Sequence, residues 1–199
     1  PALVFGSTHL SYAELNAKAN QLARKLIEQG VGPDVLVGIA TERSVEMVVG
    51  LLAIRKAGGA YVPLDPAYPQ DRLAYMIEDS GLQLLLTQSH LQAQLPIPPG
   101  VQTLLLDQPH EWLAAYPQSA PDVAVNGEHL AYTIYTSGST GAATAIGKTL
   151  AQLAREVEAL QATFGDTLEG TVVHGTVSHQ HIYGLLFRVL WPLSAGRTF

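Results

Sequence analysis

Cysteine is absent from this chain, which removes disulfides, thiolate metal sites and a cysteine nucleophile together. Positive charge is sparse as well: eleven Lys and Arg stand against seventeen Asp and Glu, for a net charge of -6. They form no basic cluster, so the sequence offers nothing to attract nucleic acid or an anionic membrane surface. No apolar run approaches the roughly 18 residues of a membrane span. Pro1 to Gly6 lack the basic and apolar parts of a signal peptide. A cytoplasmic protein fits all of these absences. What the chain does have is apolar side chain, 47% hydrophobic against 14% charged, which suits a packed core and argues against disorder. Its 199 residues suit one domain, or one and a fraction. A start on Pro1 and an end on Phe199, just after an apolar run, read as a piece of something longer.

Helix and strand signals alternate along the sequence. Ser11-Tyr12-Ala13-Glu14 is a capping box, and Leu15, Ala19, Leu22 and Leu26 follow at helical spacing until Gly30. Val35 to Ala40 is a short apolar run, a buried strand. Ser44 caps a second helix through Met47, Leu51 and Ile54, ending at Gly58-Gly59. Tyr61 to Leu64 is extended, and Pro69 opens a helix through Leu73, Met76 and Ile77 to Gly81. Leu82 to Thr87 and Val101 to Leu106 are further strands, and the proline-bearing stretch from Gln108 to Gly127 is surface connection. Leu130 to Tyr135 is a strand, Thr149 to Phe164 a helix, Gly170 to Val177 another strand, and Ile182 to Leu190 a short buried helix. The strands are continuously apolar, not alternating. The expected fold is therefore α/β, a mostly parallel sheet flanked by helices.

The stretch that carries chemistry is Tyr135-Thr136-Ser137-Gly138-Ser139-Thr140-Gly141. Glycines allow a tight turn that brings backbone N–H groups near an anion, and hydroxyls add neutral donors. In an open α/β sheet such a loop leaves the carboxyl end of a strand, where ligands bind. An ordinary polar turn is the plainer alternative. A second phosphate motif overlaps the first: Gly141 to Lys148-Thr149 nearly matches a Walker loop, but five residues separate Gly141 from Gly147 where four belong. A P-loop nucleotide hydrolase working through Gly147-Lys148-Thr149 is thus one competing function.

Three segments in order resemble core motifs of the adenylation domains of non-ribosomal peptide synthetases, within the wider adenylate-forming, acyl-activating enzymes. They are Leu10 to Leu15, then Arg55-Lys56-Ala57-Gly58-Gly59-Ala60-Tyr61-Val62-Pro63-Leu64-Asp65, then Leu130 to Gly141. The resemblance implies the N-terminal portion of an ATP-dependent, AMP-binding carboxylate ligase with its C-terminal subdomains absent. It implies that Thr136, Ser137, Gly138, Ser139, Thr140 and Gly141 hold the nucleotide phosphates, and that the first two motifs are scaffold. It implies MgATP as cosubstrate, with the Mg2+ ligands beyond this chain, and a carboxylic or amino acid as substrate. It further implies a carrier-protein phosphopantetheine or coenzyme A thiol as acceptor.

The sequence departs from that pattern after Gly141. Ala143 and Thr144 stand where the family has a Pro-Lys pair, and Lys148 is the nearest cation left to take the lysine's place. From Lys148 on, Ser178-His179-Gln180-His181-Ile182-Tyr183-Gly184-Leu185 resembles the aromatic–His–Gly segment of acyl-activating relatives, which implies a substrate pocket lined by His181 and Gly184. A change of family branch near 141–148 is expected, as a divergent branch or as a join of two relatives. His174, His179 and His181 invite a metal, but no Asp or Glu lies between Thr171 and Phe199 to complete one, so no metal site is expected. The catalytic residues are not identifiable, and turnover by this chain alone is expected to be negligible. A folded fragment acting by binding or self-association is the second competing function.

Overall fold

The computed structural model describes residues 1–108, 111–137, 143–178, 180–181 and 184–199. Its centre is a six-stranded sheet in the order β6-β5-β3-β4-β7-β8. The strands are β3 (Leu36–Ala40), β4 (Ala60–Pro63), β5 (Leu84–Thr87), β6 (Gln102–Leu105), β7 (Leu130–Ser137) and β8 (Ala143–Thr149). Neighbours pair in parallel through to β7; β8 alone runs antiparallel, against β7. A small hairpin, β1 (Leu3–Phe5) and β2 (Thr8–Leu10), precedes them.

Helices cover both faces. On one face lie α1 (Tyr12–Glu28), α2 (Val45–Lys56) and α5 (Leu150–Phe164), over Val37, Ile39, Leu84, Leu86, Tyr132 and Ile134. On the other, α3 (Gln70–Ser80) and α4 (Ser89–Gln92) pack on Val62, Leu64, Leu85 and Tyr135. The pleat explains the division: Leu84 and Leu86 point one way and Leu85 the other, and all are buried because helices wait on both sides.

The helix starts follow their caps. Ser11 and Glu14 complete a reciprocal capping box, Ser44 accepts from the Met47 N–H, and Thr149 forms a second box with Gln152. Gly81 ends α3 with φ at 63°, a left-handed turn that a side chain resists. In the Arg55-to-Asp65 motif, Arg55 ties neighbouring elements together. The Arg55 guanidinium reaches the Gly59 carbonyl and donates to the Leu130 carbonyl at 3.1 Å, clipping the end of α2 to the start of β7. Burial lowers the proton affinity of Arg55. At Gly59 a Cβ would meet Val31 at 2.7 Å, so the turn into β4 has no room for one.

In the connection after β6, residues 111–120 lie along α1. Asn20 donates to the Gln118 carbonyl at 2.6 Å, Gln21 to those of Leu113 and Tyr116, and Arg24 to Ser119. It includes one 3-10 turn at Glu111–Ala115.

Three expectations need correction. Residues 170–177 make no strand; their one ladder contact is a lone parallel bridge between Val172 and Thr198. The C-terminal helix, expected from Ile182 to Leu190, is π-helical over Leu185–Leu190 and continues as Trp191–Ser194, while Ile182 and Tyr183 lie outside the described residues. Trp191 secures it, donating to Gln161 on α5 at 2.9 Å and packing on Phe164 and Phe187. Finally, residues 143–149 are a strand, not a phosphate-wrapping loop.

Candidate functional site

The parallel strands β3, β4 and β7 all deliver their carboxyl ends to one edge of the sheet. From β3 the chain moves outward to β4, and from β5 outward to β6 in the opposite direction, so the strand order reverses there. Open α/β sheets bind ligands at such a place. A cleft of about 490 Å³ lies at this edge, lined by Glu42 and Arg43 after β3, by Asp65, Pro66 and Ala67 after β4, and by Ser178 and Gln180 crossing from the C-terminal segment. Glu42 is fixed against the β5 side: its N–H donates to Gln88 at 2.8 Å, and its carboxylate lies 3.4 Å from His90.

Thr136 and Ser137 end β7, with Thr136 exposed. Gly138, Ser139, Thr140 and Gly141 lie outside the described residues, as do His179, Ile182 and Tyr183. Ser137 pairs with Ala143 and Thr136 with Thr144, so β7 and β8 form a hairpin that brings the loop ends together.

Helix α3 holds both stems. Tyr135 donates its hydroxyl to Asp79 at 2.7 Å, and Tyr75 donates to the Ala143 carbonyl at 3.2 Å. The two rings meet edge to face with centroids 6.2 Å apart. Burial, then the Asp79 hydrogen bond, raise the Tyr135 pKa well above the phenol range, so the hydroxyl stays a neutral donor at any working pH. Sequence reading missed this brace. The only signal was a Tyr beside the loop motif, which implied no partner.

Lys148 lies elsewhere. It pairs across from Tyr132, and its ammonium donates to Glu156 on α5 at 2.6 Å. From Ala143 to Lys148 is five strand residues, roughly 17 Å at about 3.3 Å each. An extended strand also cannot bend its N–H groups onto one phosphate, so Gly147-Lys148-Thr149 is not a Walker loop; Thr149 instead caps α5. That removes the P-loop hydrolase reading.

Gly184 is buried and lines a cavity of about 280 Å³ with Val173, His174, Phe187 and Trp191. His181 is exposed and donates its backbone N–H to Ser178. Among the described residues, no three His, Asp or Glu side chains come together as a metal site requires. No helix among them is long and apolar enough to cross a membrane.

Comparison with known proteins agrees with this architecture. The family model described as "AMP-binding enzyme" matches residues 1–199. Tyrocidine synthase 3 of Brevibacillus parabrevis is 52% identical over 143 residues, covering 70% of this chain and 2% of that protein. Chondramide synthase cmdD of Chondromyces crocatus is 54% identical over 134 residues, 67% of this chain and 3% of the relative. Among solved structures, the nonribosomal peptide synthetase FmoA3 in its alpha-methyl-L-serine-AMP bound form superposes with a TM-score of 0.84 at 29% identity, over 99% of this chain and 21% of its own. ATP-bound MatB from Rhodopseudomonas palustris gives 0.83 at 27% identity, over 99% of this chain and 41% of its own. This chain thus spans 2–5% of the curated relatives it matches and 20–50% of the solved chains, and within that span it belongs to the AMP-binding enzyme family.

Proposed function

We propose that the chain supplies the nucleotide-phosphate side of a carboxylate-adenylating domain. The observation that supports this best is the β7–β8 hairpin, whose Thr136 and Ser137 stem ends at the carboxyl edge beside the cleft. In the reaction, a carboxylate oxygen of an amino acid or other acid attacks the α-phosphorus of ATP, and pyrophosphate leaves. The thiol of carrier-protein phosphopantetheine or of coenzyme A then attacks the acyl carbon, forming a thioester as the acyl–phosphate bond breaks and AMP leaves. The chain's part is to orient the phosphates with backbone amides and hydroxyls from Thr136 to Gly141, which stabilises charge as it moves toward pyrophosphate. His181 and Gly184 are proposed to face the acyl group. Mg2+ accompanies ATP in such chemistry, but the described residues do not assemble a ligand set for it, and no step here depends on it.

Sequence identity differs between the two kinds of relatives. It is 49–54% over 132–143 residues with the curated synthetases. It falls to 26–29% over 99% of the chain with the solved synthetase and MatB structures. The curated alignments cover only 66–70% of the chain, which is compatible with the proposed change of branch near 141–148.

Titration calorimetry with ATP tests the assignment. Thr140→Ala is expected to weaken binding about five- to tenfold, the effect of one hydroxyl–phosphate hydrogen bond. Lys148→Ala should leave affinity unchanged and lower stability by about 1 kcal/mol, through loss of the half-buried Glu156 pair. The reverse ranking would sink the proposal. ATP–pyrophosphate exchange should stay at background with any acid.

A non-catalytic binding role has one observation in its favour. β8 is an outer strand with Ile146 45% exposed, an edge open to another strand. Light scattering decides it: a monomer at all concentrations excludes self-association through that edge.

A further inference from the structure

Two arginines from distant parts of the chain meet beside the cleft. Arg43, just before α2, donates through Nη2 to the Thr176 carbonyl at 2.7 Å. Arg188, on the C-terminal helix, donates through Nη1 to the Val177 carbonyl at 3.3 Å. Both arginines line one cavity. Burial first, and then the Arg43 charge, lower the proton affinity of Arg188. The stem of Arg188 lies directly on Gly175, where a Cβ would come within 2.6 Å of Arg188 Cδ. Only a residue without a side chain leaves room for it.

Like charges repel, and proteins bring them together where a counter-charge is present. Among the described residues no Asp or Glu side chain pairs with either arginine. The two guanidiniums, with Ser44 and His174, line a cavity of about 180 Å³ that has no Asp or Glu on its wall. A neighbouring cavity of about 280 Å³ shares His174, Gly175, Thr176 and Arg188 and is equally free of carboxylates. Among the described residues neither arginine forms an ion pair. The nearest acid in sequence, Glu42, lies against His90. Ser44 also opens α2, a helix of twelve residues whose first amides carry partial positive charge.

We propose that Arg43 and Arg188 form a second anion site, which takes a phosphate-sized group such as a phosphomonoester. Each guanidinium keeps N–H donors beyond the one given to a carbonyl, and their planar forks suit phosphate oxygens. His174 adds a third donor through a ring N–H. The site is separate from the Thr136–Gly141 loop; Arg43 forms the wall between it and the cleft.

Thermal melts in inorganic phosphate against chloride, at matched ionic strength, test this. The chain should show a saturable rise in Tm, roughly 3–5 °C at ten times the dissociation constant. Arg188→Glu should melt higher than the parent without phosphate, because it pairs with Arg43, and should lose the phosphate response. Gly175→Ala, which displaces Arg188 without changing any charge, should lose the response as well. Thr140→Ala should retain it. Identical parent melts in phosphate and chloride would overturn the site and leave two arginines that merely repel. So would a response abolished by Thr140→Ala, which would place the anion in the nucleotide loop.

Discussion

Thr144→Lys is expected to tighten ATP binding by roughly ten- to a hundredfold. Thr144 is exposed and pairs with Thr136 at the loop end of the β7–β8 hairpin. By resemblance it holds the place of the family's phosphate-binding lysine. A charge-assisted hydrogen bond contributes about 1.5–3 kcal/mol. The new ammonium starts in water, so it meets little of the desolvation that weakens a buried cation. The gain should also shrink with added salt, as attraction between exposed charges does. Calorimetry at two salt concentrations reads both effects. Unchanged affinity would mean that the proposed loop is not where the phosphates lie, and the adenylation role of this hairpin would fall with it.

Truncating Leu85 to alanine should cost about 2–5 kcal/mol in chemical denaturation. Leu85 is fully buried in the middle of β5, where α3 packs on the sheet, and its Cδ1 would sit 2.7 Å from a Cβ placed at Gly38 on β3. The central strand lacks a side chain there because Leu85 fills the space. Gly38→Ala alone should therefore overpack the site, by about 1 kcal/mol. In the Leu85→Ala background the same methyl should recover part of the loss, a non-additive result expected only of residues in contact. Strict additivity would show that the two do not share the space.

Most of the helices were legible from local signals. Ser11, Ser44 and Thr149 each mark a helix start through a bond to an N–H three residues on, wholly within one short window. The strands buried on both faces were readable for a similar reason: Leu84 to Leu86 are apolar whichever side they face. β8 was not readable. Four consecutive exposed residues, 144–147, carry no periodicity, and what makes them a strand is the neighbouring edge of β7. Residues 170–177 failed in the opposite sense, with β-branched side chains but only one bridging partner. The site divides likewise. The Thr136–Ser137 stem is found by motif, whereas the Tyr135–Asp79 bond and the Arg43–Arg188 meeting join residues far apart in sequence, which no window contains.

Val4 donates to the Phe199 carbonyl and Phe199 donates to that of Ala2, so the first residues find their third neighbour in the last ones. A two-stranded ribbon is marginal in water. The β1–β2 hairpin therefore leans on residue 199 for the pairing of its outer side, and loosening the segment around Phe199 should loosen Ala2 to Val4 with it.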